Sequence, residues 1–308
     1  MSQNKALSKK VDLTFKYSFL LPQYWLIWLG ILLLSLYQFL PKLIKTKISR
    51  SIGLRTYRKN HKRRHIVETN LKICFPNEDT QTLAKQFFIA RTYIWFDSAL
   101  LWWSSKKKLQ SEIQINNSEH LQHCKKQRVI FLTCHNLALE YGAIALNFHL
   151  PVIGLINSFR NPLVNWLINR SRTRFNIKLA DRNDGIRPII KAIKEENAFY
   201  YLPDEDSQKS KMIYADFFGH SKATLSSLNK LAKLSDAIII PCYTSYNFEK
   251  QHYQVNLSPP LTLPSKSTKT EDAAFMNREL EKLILIQKEQ YMWSQRLFNT
   301  QQTNTSVY

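Results

Sequence analysis

Phe131-Leu132-Thr133-Cys134-His135-Asn136-Leu137-Ala138-Leu139-Glu140-Tyr141-Gly142 is the stretch on which the reading of the fold turns. Arg128 to Thr133 is a short apolar run of strand length and composition. Leu137 to Leu146 is rich in Ala and Leu and suits a helix. The pattern predicts a buried strand that ends at His135 and a helix that carries Glu140. A histidine at the carboxyl end of a strand stands where open α/β sheets place ligands and chemistry. A carboxylate five positions on, in the first turns of the next helix, is in reach of the imidazole. His135 and Glu140 then form the two parts of a general base: an imidazole that accepts a proton, and a carboxylate that fixes its tautomer. The spacing alone is not specific, because a core histidine beside a helix-start carboxylate satisfies it equally well.

Downstream, strands are expected near 128–133, 151–156, 198–202, 237–243 and 252–257. Helices are expected near 137–147, 162–174, 185–196, 224–235 and 271–290. This alternation predicts an α/β fold with a mixed, largely parallel sheet covered by helices. Upstream, His65 to Phe75 reads as a helix stopped by Pro76. A longer helix capped by Asp79 or Thr80 is expected to run through Trp103, its aromatic residues serving as core. There is no G-x-G-x-x-G or Walker loop, which argues against a nucleotide cofactor.

The chain has 308 residues, 44% of them hydrophobic, enough for one large domain with a proper core plus an appendage. Its 44 Lys and Arg against 23 Asp and Glu leave a formal charge of +21, which implies a polyanionic partner: nucleic acid, anionic membrane or an acidic protein. No zinc-finger spacing or nucleic-acid motif accompanies the charge, and nucleic acid is not expected as a partner. Four scattered cysteines form neither a disulfide framework nor a metal site, and no metal is expected. Tyr24 to Leu40 contains no charge, and Tyr24, Trp25, Trp28 and Tyr37 read as interfacial aromatics. About 20 apolar residues cross a hydrocarbon core, so one N-terminal transmembrane helix is expected. The basic residues that follow Pro41, from Lys42 to Arg64, keep the rest of the chain cytoplasmic. The expected division is a membrane anchor over 1–44 and a cytoplasmic catalytic domain over 45–308.

The H-x-x-x-x-[DE] pattern of His135 and Glu140 resembles the signature of the glycerolipid acyltransferase superfamily, and four further stretches narrow the resemblance. Asn70-Leu71-Lys72-Ile73-Cys74-Phe75-Pro76 is similar to an N-L-x-x-C-F-P region. Arg160-Asn161-Pro162-Leu163 with Arg172 downstream is similar to an N-P-L block and its later arginine. Pro203-Asp204-Glu205-Asp206, then Phe217-Phe218-Gly219 and Ala223-Thr224, resemble a P-D-x-D, F-F-G, A-T series. Glu289-Gln290-Tyr291-Met292-Trp293-Ser294-Gln295-Arg296-Leu297-Phe298 is similar to E-Q-Y-x-W-x-H-R-R-F. Together these resemble the bacterial lipid A late acyltransferases, the lauroyl/myristoyl acyltransferase family. Gln295, Leu297, Asn299 and Glu205 depart from the usual residues and put the acceptor in question more than the reaction.

The resemblance implies transfer of a fatty acyl group from acyl carrier protein to a hydroxyl of a lipid A precursor. It further implies a bacterial inner-membrane location and no cofactor. His135 would be the base and Glu140 its orienting carboxylate. Arg172, Asp204, Asn161 and Arg160 would bind substrate, with Asp204 serving either His135 or the acceptor. Two alternatives stand beside this: acylation of another lipid, such as a glycerophospholipid, ornithine lipid or aryl-polyene lipid, and an inert lipid-binding homologue.

Overall fold

A computed structural model describes residues 13–182, 185–206, 212–264, 266–302 and 306–308. The chain begins with 3-10 turns at Tyr17–Leu20 and Pro22–Tyr24. The helices α1 (Trp25–Tyr37), α2 (Lys42–Lys59), α3 (His61–Cys74), α4 (Thr80–Asp97), α5 (Ala99–Trp103) and α6 (Lys106–Glu112) follow. The sheet then starts with β1 (Ile113–Asn116) and β2 (Arg128–Leu132), and continues through α7 (Leu139–Asn147), β3 (Val152–Ile156), α8 (Pro162–Thr173), β4 (Lys178–Asp181), α9 (Arg187–Lys194) and β5 (Ala198–Tyr201). A hairpin of β6 (Ile213–Phe217) and β7 (His220–Thr224) precedes α10 (Leu228–Ser235), β8 (Ala237–Asn247), β9 (His252–Leu257) and α11 (Lys269–Ile286).

Seven strands form one sheet in the order β1-β9-β8-β2-β5-β3-β4. Every neighbouring pair is parallel except β8 and β9. The expected mixed, largely parallel sheet is therefore what the chain forms. Period-two alternation splits the core between the two faces. Ile130, Leu132, Phe199, Tyr201 and Ile239 face a layer built from α3, α4, α9, α10 and α11. Val129, Phe131, Tyr200, Ile240 and Cys242 face the other layer, with α5, α6 and α7.

The expected transmembrane helix is not formed. Pro22 interrupts the apolar stretch on one side, and the turn at 38–40 before Pro41 ends it on the other. The remaining α1 has 13 residues, about 20 Å at 1.5 Å per residue against a hydrocarbon core of about 30 Å. No helix among the described residues is long and apolar enough to cross a membrane. Instead α1 lies on the domain. Ile31 and Tyr37 are buried, whereas Trp25, Leu26, Leu29, Leu32, Leu33 and Leu36 are exposed. The indoles of Trp25 and Trp28 tie the helix to the preceding turn through the carbonyls of Leu20 and Phe19. Two further boundaries also differ. The helix expected from Thr80 to Trp103 breaks at Ser98, and the one expected from 224 begins at Leu228 because His220–Thr224 is a strand.

Candidate active site

Two neighbouring parallel strands build the site. Leu132 of β2 is in register with Tyr201 of β5, and Thr133 N–H donates to the Tyr201 carbonyl at 2.9 Å. Three residues beyond each register partner, the chain places His135 and Asp204 side by side. Asp204 is buried, and its oxygens take three donors. Oδ1 accepts from His135 Nδ1 at 2.7 Å, and Oδ2 accepts from the His135 backbone N–H and from the Tyr291 hydroxyl, each at 2.9 Å.

An ionised carboxylate only accepts, so Nδ1 carries the proton and Nε2 is left as the basic nitrogen. Burial raises the Asp204 carboxyl, but the His135 charge, the hydrogen bonds from His135 and the buried Lys222 ammonium reverse this and hold it below the ordinary carboxylate range. Burial lowers the imidazole of His135, but Asp204 and then Glu205 more than offset it, and the net displacement is upward despite opposition from Arg182. The His135 side chain keeps 20% of its surface exposed, and Glu205 Oε1 stands 3.2 Å from its Nε2.

The blocks of sequence that carry the family resemblance meet around this pair. The C-terminal segment clasps the loop after β2: Met292 N–H donates to the His135 carbonyl at 2.8 Å, and Leu137 N–H donates to the Gln290 carbonyl at 2.9 Å. The Gln290 side chain is buried and bonds both the N–H and the carbonyl of Tyr246, which fixes the segment to β8. Asn70 of α3 donates to the carbonyls of Trp293 and Gln295, both at 2.7 Å. The ring of Phe75 packs between Phe218 and Trp293, with centroids 5.0 and 5.7 Å away. Leu297, one of the departures, is a fully buried core residue beside Phe298.

The structure does not join Glu140 to His135. Glu140 lies in the first turn of α7, and its carboxylate is taken by Arg172 of α8, whose Nε stands 3.0 Å from each oxygen and whose Nη2 also donates. Among the described residues no hydrogen bond or ion pair links Glu140 to the imidazole, and the carboxylate on its Nδ1 is that of Asp204. The reason is geometric. A residue five positions on is carried away with its helix, whereas the loop after β5 reaches the imidazole directly. Close approach of α7 to the sheet fixes Glu140 in its place: a Cβ on Gly142 would stand 2.1 Å from Thr244 Oγ1 and 2.8 Å from the Tyr200 hydroxyl. Asn161 caps α8, accepting from the N–H groups of Leu163 and Val164. Arg160 beside it is exposed.

Several site residues carried no signal of their own. Arg182, at the end of β4, donates to Glu205, whose other oxygen stands 3.2 Å from His135 Nε2. Lys222 of β7 is fully buried, and its Nζ has no hydrogen-bond partner among the described residues. It lies 5.3 Å from the centre of the Phe217 ring, and burial pulls it below the ordinary lysine range against the pull of Asp204 and Asp206. Among the described residues there is no cluster of side chains that could hold a metal ion.

A buried carboxylate that commits one imidazole nitrogen, at the carboxyl end of a strand, is an arrangement suited to general-base chemistry. Comparison with known proteins gives the family. Residues 13–300 match the model of the family described as bacterial lipid A biosynthesis acyltransferase, and the chain belongs to that family. It is therefore an acyltransferase. A Haemophilus influenzae protein named lipid A biosynthesis acyltransferase is 34% identical over 99% of this chain and 98% of its own. The Escherichia coli lipid A biosynthesis lauroyltransferase is 30% identical over 93% of this chain and 95% of its own. The myristoyltransferase of the same organism is 27% identical over 93% and 90%.

Proposed function

We propose that the protein moves a fatty acyl chain from an acyl carrier protein thioester onto a hydroxyl of a lipid A precursor, with His135 as general base and Asp204 as its orienting carboxylate. The observation that carries this reading is the 2.7 Å contact between His135 Nδ1 and buried Asp204 in a chain that matches the family along almost its whole length. The acceptor hydroxyl gives its proton to Nε2 as its oxygen attacks the thioester carbonyl. The tetrahedral intermediate collapses, the C–S bond breaks, and the departing thiolate takes the proton back from the imidazolium. Arg172, held by Glu140, fixes α8 against α7 beside the site, and exposed Arg160 offers a cation to acceptor phosphates.

The same reading places the enzyme on the inner membrane, with residues 1–44 as a surface anchor and 45–308 as the catalytic domain on the cytoplasmic side. Two features support it. The exposed leucines of α1 form an apolar face too short to span, of the kind that lies in an interface. Lys47, Arg50, Arg55, Arg58, Lys59 and Lys62 are exposed on the helices that follow, where anionic head groups attract them. The anchor is also joined to α8, the helix that carries Arg172. Trp166 of α8 donates to the Leu13 carbonyl, and its ring packs 5.2 Å from Phe15 and 6.2 Å from Phe19. An acceptor other than lipid A has one observation in its favour, since the departures Glu205 and Gln295 sit together beside His135.

Single-turnover acyl transfer by the purified protein is the test. His135→Ala is expected to lose about 10²–10⁴-fold, the usual contribution of a positioned base. Asp204→Asn should also be severe, and the double variant should be little worse than His135→Ala, because the two act as a unit. Transfer by His135→Ala at the wild-type rate would remove the mechanism.

A further inference from the structure

The second carboxylate at the imidazole has no place in that mechanism. Glu205 Oε1 stands 3.2 Å from His135 Nε2, the nitrogen that must accept the hydroxyl proton. Its Oε2 accepts from Arg182, and Gln295 Nε2 donates to Oε1 at 3.4 Å. Three separate segments therefore meet this carboxylate: the ends of β2 and β4 and the C-terminal segment. Facing the lone pair of a neutral Nε2 it is repelled, and facing a protonated Nε2 it is attracted. The arrangement therefore favours an imidazolium, which cannot act as a base, and it fills the place the hydroxyl needs.

We propose that Glu205 is a positioning residue that covers the basic nitrogen of His135 until a phosphate on the acceptor draws Arg182 away from it. The ligand chemistry follows from the clamp. A guanidinium pairs with a phosphate through parallel charge-assisted hydrogen bonds, and a phosphate brings more negative charge than the carboxylate it displaces. Without Arg182, Glu205 loses the guanidinium that favours its ionised form, and its proton affinity rises beside the imidazolium N–H. The Nε2–H bond breaks, an Oε1–H bond forms, and Glu205 turns aside as the neutral acid. This leaves Nε2 with a free lone pair and room for the hydroxyl. Binding of the phosphate thus prepares the base, and an acceptor without one meets a covered site.

The charged groups around the imidazole are Asp204 and Glu205 from the loop after β5 and Arg182 from the end of β4. Lys222 of β7 stands behind them and acts on Asp204, Glu205 and Asp206. The Tyr291 phenol, raised well above its ordinary range by burial and by Asp204, stays neutral. Glu205 adds to the upward displacement of His135, so its removal has a defined sign.

The proposal rests on His135 being the base, and its test has two arms. In the first, the His135 side chain is followed by NMR during a pH titration of the full chain without substrate. Glu205→Gln keeps the shape and removes the charge, and it should move the His135 midpoint to lower pH, with His135→Gln used to assign the signal. In the second, kcat/KM is compared for a phosphorylated lipid A precursor and its dephosphorylated counterpart. The wild type should prefer the phosphorylated acceptor by roughly tenfold or more, within the usual range of coupling between sites. In Glu205→Gln the preference should shrink to under about threefold, chiefly because the dephosphorylated acceptor improves. An unchanged His135 midpoint would overturn the role of Glu205 and leave the proposed function intact. A preference that survives in Glu205→Gln would overturn the coupling to phosphate. Absence of transfer to either acceptor by the wild type would overturn the acceptor class, while the titration still decides on Glu205.

Discussion

At the scale of single residues, the site separates the pH range in which it is stable from the range in which it works. The His135 value is raised above its unfolded value of about 6.5. Its contribution to stability is complete below that pH and is lost as pH rises through the folded value. The Asp204 value is lowered, so its contribution is present above about 3.9 and is lost as pH falls through the folded value. Both are therefore fully present between the ordinary carboxylate and ordinary imidazole ranges. On the proposed mechanism catalysis needs neutral His135, so activity should rise with pH along a limb above the ordinary imidazole value. Thermal unfolding should show the largest gap between wild type and His135→Ala in that mildly acid window, and the gap should narrow toward alkaline pH as activity climbs. A gap that widens with rising pH would reverse the sign of the argument. How much of this was legible in the sequence depends on distance along the chain. His135 was legible because strand and helix propensities flank it directly. For Asp204 the resemblance left two partners open, His135 or the acceptor, and the residues alone could not choose, because β2 and β5 lie beside each other only through a crossover. Glu140 had the right spacing and the wrong partner, Arg172.

At the scale of elements, what was legible follows strand burial. β2, β3, β5, β8 and β9 show apolar runs or clear alternation, since they are covered by helices or by neighbouring strands. β1 and β4 are four-residue edge strands whose sequences, Ile-Gln-Ile-Asn and Lys-Leu-Ala-Asp, carry too short a pattern to read. The β6–β7 hairpin turns through Phe218 and Gly219, both at positive φ, and its second strand is polar enough to pass for a helix start. The apolar N-terminal stretch misled in another way: composition reports the affinity of a segment for lipid, but Pro22 and Pro41 set the length of its helix. A surface-lying α1 makes a specific prediction. Leu26 is 83% exposed and Leu33 57%, and burying one leucine in an apolar phase yields about 1.5–3 kcal/mol. Leu26→Glu with Leu33→Glu should lower partition onto anionic vesicles by about 10²-fold or more, from the same transfer values. The fold should be kept, since neither side chain enters the core. Vesicle sedimentation with circular dichroism measures both, and undiminished sedimentation of a folded double variant would remove α1 from the interface.

At the scale of the whole molecule, a charge of +21 is spread over a chain that, on the proposed reading, meets an anionic surface and an acidic carrier protein. Opposite charge contributes mainly to the rate of encounter, and encounter is screened by salt while chemistry inside a partly enclosed site is not. The screening length falls from about 10 Å at 0.1 M salt to about 3 Å at 1 M. Electrostatic steering contributes about 10–10³-fold to association. The expected signature is therefore a divergence between kinetic constants. With an acyl carrier protein donor, kcat/KM should fall by roughly tenfold or more between low and high salt, in line with loss of steering, while kcat changes little. A neutral short-chain thioester donor should show no such fall, because it has no charge to steer. A fall in kcat with both donors would mean that salt acts on the site itself, and a salt-independent kcat/KM would remove the carrier protein as a steered partner.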